Sequence, residues 1–162
     1  MKLFPSLLLA AAVTLAVHAG EAMTREQDEI LLGIHAATAS LAGDAGRALD
    51  RLRQQPVTPD NLMDRHLFWE IHSMAAEATE SLARVRELFQ LRAMAADPRI
   101  EQELDALLHR TLEGLWRKAA WFRNWLREEP YVSANPDLAR LVNRAVKQFA
   151  DLGDPLQKLG KR

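Results

Sequence analysis

Ten residues, WRKAAWFRNW at positions 116–125, hold three of the chain's four tryptophans together with Arg117, Lys118 and Arg123. Rings and cations on one strip bind single-stranded nucleic acid. An apolar face edged by cations lies on a membrane. Neither arrangement forms here. At 100° per residue, Trp125 borders a stripe of Leu104, Leu115 and Phe122, Trp121 falls further round, and Trp116 takes the opposite flank. Arg117, Arg123 and Arg127 scatter in the same way. With 21 basic against 22 acidic side chains, the chain lacks the positive field that gathers nucleic acid or anionic lipid.

The other groups with chemical potential are equally dispersed. His72 and Ser73 are sequence neighbours, which sends their side chains in different directions on a helix. Asp105 and His109 make an i,i+4 pair of a common surface type. Glu101 and Glu103 read as a solvated face near a helix start, where carboxylates offset the dipole. A di-iron bundle needs inward Glu-x-x-His pairs, but the residues three before His35, His66, His72 and His109 are Leu32, Met63, Trp69 and Ala106. Covalent haem needs Cys-x-x-Cys-His, and the chain has no cysteine. A non-covalent haem between Met74 and His35 is the one cofactor arrangement left open. No glycine-rich phosphate loop occurs. These residues predict a protein that is not an enzyme, with no metal and no cofactor.

The elements that position these groups are legible from periodicity. Lys2, an apolar run over residues 6–17, and Val17-His18-Ala19 form a signal peptide in the expected order. Residues 1–19 are expected to be cleaved, leaving one domain over 20–162 that is periplasmic or secreted and has no stable membrane insertion. Thr24 and Gln27 fit a capping box. Thr58, Asp97, Asn135 and Asp154 each precede a proline, which places a cap before a first helical residue with no donor to waste. Helices are predicted over 24–54, 59–96, 98–128 and 136–152, all with three-and-four spacing and none with the period of a strand. Their stripes are Ile30, Ile34, Leu41, Ala45, Ala48 and Leu52; Leu67, Ile71, Met74, Ala78, Leu82, Val85 and Phe89; Ile100, Leu104, Leu107, Leu115, Phe122 and Leu126; and Leu138, Leu141, Ala145, Phe149 and Leu152. Short connections make neighbours antiparallel. The fold class is all-α, an up-down-up-down four-helix bundle whose short fourth helix breaks near Gly153–Pro155. That helix spans ~25 Å against ~50 Å for the second. Half the bundle is then three-helical unless Leu156 and Leu159 cover it.

Antiparallel register puts His35, His72 and His109 at heights separated by roughly 9–10 Å, too far apart for one metal ion. It also gathers the aromatic residues at one pole, opposite the small residues AATASLAGDAGRA at 36–48. Large rings facing small residues predict a size-complementary core. The competing expectation is a ligand pocket there, lined by Phe68, Trp121 and Trp125 with Arg123 or Arg127 as polar anchors. Trp69 points away from its own helix's stripe, with His66 and His72 placed on the same outer face. Tryptophan is enriched among interface anchors, so these three are the candidate contact for a partner protein, a second copy or the chain's own tail. The sequence therefore favours an exported interaction, adaptor or chaperone-like bundle. The alternative is a small-ligand or haem carrier or sensor using the aromatic pole.

Overall fold

The computed structural model describes residues 23–128 and 135–160, so the proposed signal peptide lies outside the described residues. They form α1 (Arg25–Arg53), α2 (Pro59–Met94), α3 (Pro98–Glu128), α4 (Pro136–Asp151) and α5 (Gly153–Gly160). No strand occurs among the described residues, and the four long helices pack as a four-helix bundle. None of the described helices is long and apolar enough to cross a membrane.

Local chemistry explains the helix boundaries. Thr24 and Gln27 close a reciprocal capping box, with bonds of 3.1 and 2.9 Å. Thr58 and Asn61 repeat the device, with asparagine in place of the usual glutamate or glutamine. Asp97 accepts from the Arg99 amide, and Asn135 from the amides of Asp137 and Leu138. Asp154 departs from expectation: it lies inside α5 and caps nothing. The interruption follows from Pro155, which has no amide and whose ring crowds the carbonyl four residues earlier, that of Asp151, where α4 ends.

The chain resumes as a helix at once. α5 runs on along α1 and α3, burying Leu156 and Leu159 to 3% and 2% exposure. The half of the bundle beyond α4 is thus covered by extension of the chain rather than by a fold-back.

α1 and α2 share the most extensive contact of any pair among the described helices. Buried Ala42 and Ala45 on one helix and Ala75 on the other permit this, as does Gly46, where an added Cβ would sit 3.2 Å from His72 Nδ1. Across this seam α2 extends polar groups at a strict spacing of seven. Arg65 donates to the carbonyls of Leu52 and Gln55, at 2.5 and 2.6 Å. His72 Nδ1 lies 2.8 Å from the Ala42 carbonyl, and the Thr79 and Thr38 hydroxyls are 3.0 Å apart. Arg86 pairs with Asp28 at 3.3 Å. A seven-residue repeat keeps one edge of a helix against its neighbour. The partners confirm antiparallel register to within about one turn.

On the other side of α2, Lys118 pairs with Glu77, and Arg92 meets Asp105 at 2.8 Å. Asp105 thus forms an ion pair to α2, both of whose side chains are 12% exposed. Arg92 also lies 3.7 Å from Glu101, so that carboxylate is tied to the α2–α3 turn rather than fully solvated. Burying Asp105 rotates α3 relative to the predicted stripe. Ile100 and Leu107 face solvent, and Leu108 and Leu112 take their places in the core.

The glycines discriminate seam from surface. Gly33→Ala, in open space on α1, is expected to raise stability by about 0.5–1 kcal/mol. Gly46→Val is expected to displace the His72 ring and lower stability by about 1–3 kcal/mol. Urea unfolding of the two variants measures both signs.

Candidate functional site

The eight candidate residues do not form one site. Phe68 is 1% exposed and belongs to the core. Trp121 and Trp125 stack with ring centroids 6.4 Å apart, and Trp125 stacks in turn on Phe122 at 5.6 Å. Phe122, fully buried, meets Phe149 edge-on at 5.0 Å. Aromatic edge-to-face contacts of this kind fill space and add attraction beyond area burial. Trp121 itself is exposed, at the outer end of the stack. Arg123 bonds the neighbouring Asn124 side chain, and Arg127 is exposed.

The outer face of α2 divides. Trp69 is 47% exposed and stacks on His66, with centroids 6.4 Å apart and planes 20° off parallel. His66 Nε2 lies 3.8 Å from Glu70. Leu62, one turn before His66, and Met63 beside it are also exposed. His72 does not join them. It lies on the flank between the outer face and α1, and its ring covers Gly46 and bonds the Ala42 carbonyl. Because a carbonyl only accepts, Nδ1 must carry the proton. His72 is thus a structural pin of the α1–α2 seam. Its place in the seven-residue series Arg65, His72, Thr79 and Arg86 was the signal, one that a search confined to apolar residues passes over.

Two larger hollows lie elsewhere. One, of about 270 Å³, runs between α3 and α5, with His109, Leu112 and Trp116 on one wall and Leu156 and Gln157 on the other. The second, of about 390 Å³, opens between α1 and α4 above Phe68. Its walls carry Asp44, Arg51, Asp137, Arg140 and Arg144, with Ala48 and Leu141 beside Phe68 at the base. Sequence reasoning did not connect these residues, because nearly a hundred positions separate the α1 and α4 sides.

Asp44 organises the second hollow. It accepts from Arg47 at 2.5 Å and from Arg144 of α4, which also donates to Ser40 Oγ. Partial burial pushes the Asp44 carboxyl up, but the hydrogen bonds and charges of Arg144 and Arg47 outweigh it and hold the group below its ordinary value. Among the described residues, no three His, Cys, Asp or Glu side chains converge on a metal position. No family model matches the chain, and no curated protein or solved structure matches it.

A carboxyl with a depressed folded-state pKa stabilises the fold above its unfolded-state pKa, and that contribution disappears as pH falls through the folded value. Asp44→Asn is therefore expected to lower the urea midpoint at pH 7. The gap to the parent protein should narrow steadily below about pH 4.

Proposed function

We propose that this chain is a non-enzymatic, exported helical-bundle module that docks a partner protein on the outer face of α2. The observation that carries this reading is Trp69, half exposed on a rigid helix and held in place by the His66 ring. Leu62, His66 and Trp69 follow one another at spacings of four and three, which aligns them along one side of the helix. A tryptophan already fixed by stacking loses little entropy when a partner covers it, and buried tryptophans dominate binding energy at many interfaces. The helix beneath is anchored by Arg65 and His72 to α1, so the docking face rests on a fixed support.

The size of the patch suits a transient contact rather than a permanent one. A stable dimer buries ~800 Å² on each partner, whereas Leu62, Met63, His66 and Trp69 together offer on the order of a few hundred Å². Export rests on Lys2, the apolar run and the Val17-His18-Ala19 site, and it places the interaction in the periplasm or outside the cell. The alternative carrier role at the aromatic pole receives less support, since Phe122 is packed in the core and Trp125 and Trp121 stack outward from it on one another.

A photo-activated benzophenone side chain placed at exposed Met63 in the producing cells tests this reading. A discrete adduct with another protein is expected, and it should disappear when Trp69→Ala is added. The same group at Glu103 on α3, also exposed, should give none. No adduct above the Glu103 background, or an adduct containing only this chain, would overturn the proposal.

A further inference from the structure

The hollow above Phe68 has features that the docking face does not explain. Its volume of about 390 Å³ lies within the ~300–1,000 Å³ range of small-molecule sites. The base is apolar: Phe68 and Leu141 are buried, and Ala48 is half-buried. The walls are charged, and the charges are unequally engaged. Asp44 is taken up by Arg47 and Arg144, and Asp137 by Arg140 at 2.5 Å. Arg51 differs from them. Its Nε donates to the Arg47 carbonyl at 3.3 Å, and it forms no ion pair among the described residues.

We propose that this cleft binds a small organic carboxylate with an apolar body, the body resting over Phe68, Ala48 and Leu141 and the carboxylate held by Arg51. A guanidinium presents parallel N–H donors whose geometry matches a carboxylate, and such charge-assisted bonds are stronger than neutral ones. Tethering of Arg51 through Nε leaves its terminal nitrogens to meet the ligand. The apolar base selects against simple inorganic anions, which gain nothing from it. Asp44 and Asp137 are matched by Arg144 and Arg140, which leaves one cation in excess along the lining, a balance met by a ligand of single negative charge. A singly charged amphiphile satisfies both constraints. The cleft faces α1 and α4, away from Trp69, so the two sites are separable by mutation.

Titration calorimetry of the whole chain with 2-naphthoate, 2-naphthamide and acetate tests the assignment. Saturable heat is expected with 2-naphthoate. Binding should weaken by about tenfold or more when the charge is removed in the amide or the body is removed in acetate. Arg51→Gln, at an exposed position, should weaken 2-naphthoate binding to a similar degree. Arg117→Gln, on α3 outside the cleft lining and paired with Glu113, should bind as the parent does. Absence of saturable binding, equal affinity for acid and amide, or an Arg51→Gln variant that binds as the parent does would each overturn the proposal.

Discussion

Close approach of α1 and α2 is the constraint on which the rest of this molecule depends. Without cysteine, no covalent link holds the chain, and stability must come from packing. Ala42, Ala45 and Gly46 allow the two backbones to come together against Ala75. Small residues alone would let the helices slide, because alanine surfaces carry little shape. Arg65, His72, Thr79 and Arg86 prevent this by reaching α1 once every two turns at fixed heights. Three of these contacts use backbone carbonyls or a hydroxyl pair, which have little freedom to move. The seam therefore specifies register as well as holding the helices together.

The remaining helices are arranged around that seam. A closely spaced pair of helices leaves a wider gap on its far side, and the bulky residues of α3 and α4 fill it. Phe122 and Phe149 meet edge-on in the centre, and Trp125 and Trp121 continue the stack outward. This answers the question raised by the tryptophan-rich segment: the cluster is mainly a packing device, with exposed Trp121 at its margin and Trp116 apart from it, against α5. What the packing leaves unused is the outer face of α2 and the charged cleft between α1 and α4. The docking face and the α1 wall of the cleft sit on helices that the seam immobilises, which is the condition a binding surface requires.

Much of the fold could be read from the residues. The caps at Thr24, Thr58, Asp97 and Asn135 predicted four helix starts because side-chain capping and proline geometry are local effects. Asp154 misled, because Pro155 acts there on an existing helix and does not begin a new one. The stripe of α3 was displaced by Asp105, a charge buried by its ion pair with Arg92, which a count of apolar positions cannot anticipate. His72 was assigned to the outer face for a related reason. It borders the α2 stripe, and only the partner helix decides which way a bordering residue turns. Trp69, nearly opposite the stripe, left no such ambiguity. The cleft was not legible at all, since it is assembled from α1 and α4, which meet only after the chain has folded.

Native-state hydrogen exchange tests the central place of the seam most directly, because it ranks local opening helix by helix. The slowest amides should lie in α1 near Ala42 to Leu49 and in α2 between Leu67 and Leu82, flanking the His72 and Thr79 contacts. Amides in α5, which is short and contains Pro155, should exchange at least about tenfold faster. Strongest protection in α3 and α4, or equal protection along all helices, would contradict a molecule built outward from the α1–α2 contact.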